Sequence, residues 1–326
     1  MRIDKATRAR VRSRRRSGQA SGELRIVDGL ILLDKPIGLT SNAALQRVKR
    51  LFKARKAGHT GSLDPLATGM LPLCFGQATK LSAYLLDADK TYRVTAKFGE
   101  RTDTADADGT VVEESPVTQV DRQTLEAALD KFRGEILQVP PMYSALKKDG
   151  RRLYELARAG QQVQREARPV TIHDLRIESW DPEQPVFAVR CSKGTYVRTL
   201  VEDIAAAVGT LGHVAALRRL SVEPFPEDGV VSMDELERAA ESGYDALDRF
   251  LRPIDEVIAD WPAVFLNGDQ AYYLLRGQPV HAGVAGECGL VRIYDEARRF
   301  LGVGEVLRDG RLAPKRLFVD PQSAGG

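Results

Sequence analysis

The sequence predicts an α+β fold: a large mixed, mostly antiparallel sheet flanked by helices, followed by a small C-terminal β-barrel. Two observations carry this. Strand patterns recur between helices without regular βαβ alternation. Beyond Arg252–Pro262 the chain turns to short strands punctuated by glycine: Val264–Leu266, Gly289–Tyr294, Phe300–Val306 and Arg316–Val319. A chain of 326 residues suits one large domain plus one small one.

The elements follow in order. Leu30–Leu33 reads as a buried strand ending in Asp34-Lys35-Pro36-Ile37-Gly38. Thr40 or Ser41 caps a helix to about Lys53, with apolar residues at Ala44, Leu45, Val48, Leu51 and Phe52. A loop from Gly58 to Gly69 leads into a strand over Leu71–Phe75 and a helix near Thr79–Leu86. Tyr92–Phe98 alternates as a strand should, and Asp121 caps a helix to about Phe132. Residues 143–168 are rich in Lys, Arg and Gln and read as a basic projection with one helix. Val186–Cys191 is a strand, and Gly194 opens a helix over Tyr196–Val208. The resulting division is a basic arm (1–23), a first domain (24–255), a second (256–320) and a short tail (321–326).

Charge is distributed unevenly. Residues 1–22 hold eight basic side chains against one acid, +7, so the rest of the chain stands at −4 within a net charge of +3. An arm of that composition cannot bury a core and predicts disorder; it suits phosphate contacts or a solubilising role. Cys74, Cys191 and Cys288 are scattered and form no Cys-x-x-Cys pair, which points to reduced thiols and a cytoplasmic setting and away from zinc. The four histidines are equally dispersed. No stretch approaches the roughly 18–20 apolar residues that span a bilayer.

The densest signal is Gly58-His59-Thr60-Gly61-Ser62-Leu63-Asp64-Pro65-Leu66-Ala67-Thr68-Gly69. Three glycines and a proline around one carboxylate describe a loop with a fixed backbone path. Pro65 biases Asp64 toward extended geometry, which presents its carboxylate outward. A loop aspartate taken alone is more often a turn or cap residue than a nucleophile.

Five segments in order decide the matter. They are the Asp64 loop, Asp34-Lys35-Pro36-x-Gly38-x-Thr40-Ser41, Asp89-Lys90-x-Tyr92 with Phe98-Gly99, Pro140-Pro141-Met142-Tyr143-Ser144-Ala145-Leu146-Lys147, and Ser192-Lys193-Gly194-Thr195-Tyr196-Val197-Arg198-Thr199-Leu200. Together they resemble the bacterial tRNA pseudouridine-55 synthases of the TruB type, from Leu30 to Val319. The C-terminal segment, with Phe300–Val306 and Pro314–Phe318, resembles a PUA-type RNA-binding domain.

The resemblance implies a pseudouridine synthase fold and isomerisation of uridine-55 in the T-arm loop of tRNA, with no metal or other cofactor. It implies Asp64 as the catalytic carboxylate, attacking the sugar C1′ or base C6, or removing a sugar proton. Arg198 is its implied partner, expected to lower its pKa. Tyr92 is the implied base-stacking aromatic, with a hydroxyl near a moving proton. His59 is implied to fill the space left by the extruded base. Leu71, Tyr196 and Leu200 are expected to complete apolar walls. Lys35, Pro36, Lys147, Lys148, Arg151, Arg152 and Tyr154 are candidate RNA contacts. Lys315 and Arg316 should meet a region away from the target loop, the acceptor stem. A monomer without an obligatory protein partner is expected. Two other readings stay open: a non-catalytic RNA binder that keeps the scaffold, and a relative that works inside a guide-RNA particle.

Two motifs are set aside. Asp106-Ala107-Asp108-Gly109-Thr110 imitates a phosphatase nucleophile loop, but Arg101–Ala105 before it is polar, so it reads as a solvent loop. Gly302-x-Gly304 lacks a third glycine and a βαβ context.

Overall fold

The computed structural model describes residues 23–117, 120–144, 146–148, 150–161, 163–283 and 288–318, with the side chains of Lys147, Lys148, Arg152, Tyr154 and Arg158 excepted. The basic arm of residues 1–22, the tail 321–326 and the RNA-contact roles of Lys147, Lys148, Arg152 and Tyr154 therefore fall outside the described residues and side chains.

The chain opens with β1 (Gly29–Lys35), buried on both faces. Its period of two divides the core. Ile31 and Leu33 join one apolar cluster and Leu30 and Leu32 a second. Burying a leucine completely contributes about 1.5–3 kcal/mol, so a strand buried on both sides is a strong anchor. Helix α1 (Ser41–Leu51) follows, with the Thr40 hydroxyl accepting from the Ala43 amide at 3.1 Å. β2 (Ala57–His59) and β3 (Thr68–Phe75) flank the Asp64 loop. A 3-10 turn and the short α2 (Ser82–Asp87) lead to β4 (Lys90–Phe98) and the hairpin β5 (Glu100–Thr102) and β6 (Val111–Glu114). Asp121 caps α3 (Arg122–Leu129), and β7 (Gly134–Gln138) comes next.

The expected projection is a short hairpin, β8 (Lys147–Lys148) with β9 (Arg151–Arg152), running into α4 (Leu153–Arg158), where Leu153 and Leu156 are buried. Then come β10 (Arg168–Ser179), β11 (Val186–Cys191), α5 (Val197–Ala207), β12 (Gly212–Val222), β13 (Val231–Ser232), α6 (Met233–Glu241) and α7 (Tyr244–Asp248). The large sheet has the order β13-β1-β3-β12-β4-β11-β10-β7, with β2 paired to β3. Pairing is antiparallel except at β1–β13 and β3–β12.

The β3–β12 contact needs glycine. Gly69 has φ +98°, and a Cβ there would sit 2.2 Å from the Arg219 carbonyl oxygen. Without a side chain at position 69 the two backbones can approach, and β12 closes the sheet over the Asp64 loop.

At the C-terminal end, β14 (Ala263–Leu266), α8 (Gly268–Leu275), β15 (Val280–His281), β16 (Gly289–Asp295), β17 (Phe300–Val306) and β18 (Arg311–Leu317) form a curled five-stranded sheet, ordered β14-β16-β17-β18-β15, with α8 packed on it. The last strand begins at Arg311 rather than Arg316, because the Gly310 turn starts the return. Pro314 then sits beside the register shift opposite Val303–Gly304. Val303 joins Leu30, Leu32 and Met70 in one cluster, and the Lys80 ammonium donates to the Leu317 carbonyl at 2.9 Å. The small sheet thus shares a core with the back of the large one.

Candidate active site

The Asp64 loop is fastened from several sides by buried groups. The Ser41 hydroxyl, at the start of α1, donates to the Leu63 carbonyl at 3.0 Å and accepts from the Leu63 amide at 2.7 Å. The Gly38 amide donates to Pro65 O at 2.8 Å, and the Ala67 amide turns back to Asp64 O at 3.1 Å. Lys35, which is fully buried, donates to the carbonyls of Pro36 (2.9 Å), Leu39 (2.7 Å) and Pro65 (3.4 Å). It was expected to contact RNA phosphates, and its position corrects that. With its ammonium turned inward onto three carbonyls, Lys35 holds the loop. Burial lowers its pKa to about 8, with nearby Asp64 working in the opposite direction. Pro36 beside it is half-buried.

The Asp64 carboxylate lies 3.1 Å from the Arg198 guanidinium on α5. Arg198 is almost buried, its side chain 8% exposed against 44% for Asp64, so the carboxylate opens to solvent on one side. Arg198 also donates to the carbonyls of Thr104 (2.9 Å) and Tyr143 (2.7 Å) and meets a second carboxylate, Asp106, at 3.3 Å. The expected solvent loop around Asp106 is thus corrected: its side chain is 6% exposed, held by the Thr104 hydroxyl at 2.6 Å and by the Asp108 amide. The β5–β6 hairpin folds this polar stretch inward, because a buried guanidinium needs acceptors.

Arg198 lowers the Asp64 pKa as expected, yet the net direction is upward. Desolvation pushes the carboxyl above its usual range; Arg198 pulls it back by less, and Asp106 and Asp108 add to the rise. An ion pair whose cation is shared between two carboxylates does not compensate fully for lost water.

Tyr92 on β4 is buried, and burial raises its hydroxyl pKa. Facing it across the ladder is Arg219 of β12, 1% exposed, which donates to the Met70 carbonyl at 2.7 Å and the Gly61 carbonyl at 3.0 Å. His59 on β2 is half-buried, with its Nδ1 enclosed and without a hydrogen-bond partner among the described residues; burial and Arg219 lower its pKa. The Thr60 hydroxyl is likewise enclosed and without a partner among the described residues. Leu71 and Leu200 are buried. Tyr196 is half-buried and clamped through its backbone by Gln138, whose amide accepts from Tyr196 N at 3.0 Å and donates to Tyr196 O at 3.3 Å.

The remaining candidates stand on other elements. Arg151 is exposed on the β8–β9 hairpin, and Lys315 and Arg316 are exposed on β18, where Lys315 pairs with Glu305 at 2.7 Å. Among the described residues no cluster of His, Cys, Asp and Glu could hold a metal ion, and no helix is long and apolar enough to cross a membrane. Arg219 and Gln138 escaped the sequence reading, and Ser41 and Asp106 entered it only as a helix-cap and motif residue and as part of a solvent loop. A consecutive Arg218-Arg219 pair inside an otherwise apolar run is the one signal that could have raised Arg219.

Comparison with known proteins defines the class and then the family. A chain of the crystal structure of a Cbf5-Nop10-Gar1 complex superposes with a TM-score of 0.70 at 23% identity, covering 91% of this chain and 87% of that one. A chain of an H/ACA RNP bound to a substrate RNA containing 2'-deoxyuridine gives 0.69 at 19% identity, with coverage of 90% and 86%. The shared architecture takes in the C-terminal sheet as well, because the superposition covers 91% of this chain. The N-terminal model of the TruB family of pseudouridylate synthases matches residues 49–197, and two C-terminal models match 198–259 and 262–318. A tRNA pseudouridine synthase B of Ectopseudomonas mendocina is 58% identical over 90% of this chain and 96% of its own length. One of Pseudomonas fluorescens is 56% identical over the same shares. The chain belongs to the TruB family of pseudouridylate synthases.

Proposed function

We propose that this chain isomerises uridine-55 in the T-arm loop of tRNA to pseudouridine, with Asp64 as the carboxylate that acts on the nucleoside. The observation that carries the reading is the Asp64–Arg198 pair at 3.1 Å, on a loop fixed by Ser41, Lys35 and Arg219 beside buried Tyr92. A carboxylate that is oriented yet open on one side can meet a reacting sugar or base, and its elevated pKa keeps it basic once ionised.

The target uridine is extruded from its stack at a cost on the order of a few kcal/mol, and His59 takes its place. Tyr92 stacks on the uracil, and its oxygen receives the C5 proton. Leu71, Tyr196 and Leu200 keep the detached base from escaping. The cationic hairpin around Arg151 tracks the RNA backbone, and Lys315 and Arg316 meet the acceptor stem. The enzyme acts as a cytoplasmic monomer without an obligatory protein partner. The high identity to tRNA pseudouridine synthases B over almost their whole length favours this over work inside a guide-RNA particle.

The deciding measurement is tritium release from tRNA labelled at uracil C5, with chelator present and no added cofactor. Release that disappears in Asp64→Asn and in a transcript lacking the T-loop uridine supports both chemistry and target. Tight tRNA binding without release by the native chain would return the reading to a non-catalytic binder.

A further inference from the structure

Arg198 neutralises its charge against two carboxylates; Arg219 has none. Among the described residues no ion pair joins Arg219, although its side chain is among the most completely buried in the molecule. Its Nε donates to Met70 O at 2.7 Å and one terminal nitrogen to Gly61 O at 3.0 Å. These two bonds fix the plane of the guanidinium, but carbonyl dipoles do not cancel a full charge. Its field is felt throughout the site: it disfavours the protonated forms of Lys35, His59 and Lys90.

One neighbour gains from that field. Arg219 lies directly opposite Tyr92 in the β12–β4 ladder, and its guanidinium comes within hydrogen-bonding reach of the phenolic oxygen. The other titratable groups facing Tyr92 are Cys191 on β11 and Asp64 on the loop, both of which disfavour a negative oxygen there. Among the described residues Arg219 is the one charged group that favours it, against the burial that raises the phenol's pKa.

We infer that Arg219 is a positioning residue for Tyr92: fixed by the Met70 and Gly61 carbonyls, its uncompensated charge holds the phenolic oxygen in place and stabilises it as the acceptor of the C5 proton. The inference rests on the function proposed above. In the step it serves, the uracil has already joined the sugar through C5. The Tyr92 phenol has first given its proton to solvent, against the pull of burial; the C5–H bond then breaks and its proton passes to the resulting phenolate. The bonding pair restores the C5–C6 double bond, the C6–N1 π pair settles on N1, and N1 takes a proton from water. Arg219 touches neither base nor sugar in this scheme.

The test compares Arg219→Met and Arg219→Lys by the pH dependence of tritium release, alongside ultraviolet titration of tyrosine ionisation in the free proteins. Arg219→Met is expected to lower release about 10–100-fold at neutral pH and to displace the profile to higher pH by about one unit or more. The phenol whose signal is missing in Tyr92→Phe should ionise at correspondingly higher pH. In a Tyr92→Phe background, Arg219→Met should cause little further loss of release. Arg219→Lys, which keeps a cation but cannot keep both carbonyl bonds, should lose rate while its profile stays in place. Loss by one factor at every pH in Arg219→Met, with Tyr92 ionisation unmoved, overturns the inference and leaves Arg219 a structural strut. Should Arg219→Met fail to fold by circular dichroism, the lysine variant decides, and a displaced profile there counts against the inference. If the native chain releases no tritium, the proposed function fails, while the phenol titration still decides whether Arg219 governs Tyr92.

Discussion

Two buried arginines flank the candidate site, and they are held in opposite ways. Arg198, on the first turn of a helix, is surrounded by acceptors: Asp64, Asp106 and the carbonyls of Thr104 and Tyr143. Arg219, in the middle of a strand, has the carbonyls of Met70 and Gly61 and no carboxylate among the described residues. The first arrangement spreads one positive charge over two negative ones. It orients Asp64 and lowers its pKa, but desolvation outweighs that pull, so the carboxyl stays above its usual range despite an ion pair. The second leaves positive potential in a dry site. Guanidinium identity alone says little; the acceptors around it decide whether it steadies an anion or waits for one.

The largest expected effect tests the Arg198 side. Asp64→Asn should lower pseudouridine formation by more than about 10⁴-fold, since residues that act as one unit lose nearly everything together. Affinity for tRNA should stay within several-fold, because phosphate contacts dominate it. A matching loss of affinity would place the catalytic carboxylate elsewhere. Asp106→Asn removes the second carboxylate while keeping its shape. Release assays should show a loss of about 10²-fold, the scale expected when a reacting group is misaligned. An unchanged rate would show that Arg198 needs only Asp64.

Gly69→Ala strikes the Arg219 side through the backbone. It adds a Cβ 2.2 Å from the Arg219 carbonyl at a positive φ, so denaturant unfolding should report destabilisation on the order of 3 kcal/mol. A stable variant would mean that β3 and β12 can separate without loss.

A subtler outcome concerns pH. The Asp64 pKa is higher in the fold than the ordinary 3.8, so the native state holds that proton more tightly than the unfolded chain. Stability should therefore fall as pH rises from about 3.8 through the elevated value. Asp64→Asn should melt higher than the native chain at neutral pH and at the same temperature in acid. Equal melting at both would mean that Arg198 repays the desolvation after all. The smallest effect is expected outside both arginine clusters. Arg316→Ala should weaken tRNA binding several-fold and reduce the salt slope by about one. An unchanged slope would remove β18 from the RNA surface.

Part of the candidate site was legible because its pieces are local. Glycine and proline mark the Asp64 loop, alternation marks the Tyr92 strand and Gly194 marks the start of the Arg198 helix, while the roles of Asp64, Tyr92 and Arg198 came from the resemblance of those segments to the TruB family. The helix caps at Thr40 and Asp121 were legible for the same reason. Lys35, Asp106 and Arg219 were not. Each is a charged residue that sequence places in solvent and the fold places inside, because acceptors arrive from strands and loops far away in the chain. β12 went unread for a related reason: Arg218 and Arg219 interrupt its apolar pattern, one pairing with Asp34 at 2.9 Å and the other turning into the core.

The sequence by itself determined the α+β class, the loop that carries Asp64, the basic balance of the N-terminal arm and the strand-rich C-terminal end, since period, turn chemistry and composition are properties of neighbouring residues. Only the tertiary structure decided which charges are paired. A carboxylate's basicity and the compensation of an arginine's charge depend on groups within a few ångströms in space, and it is the pairing of β3, β4 and β12, with α5 and the β5–β6 hairpin packed against them, that brings those groups together.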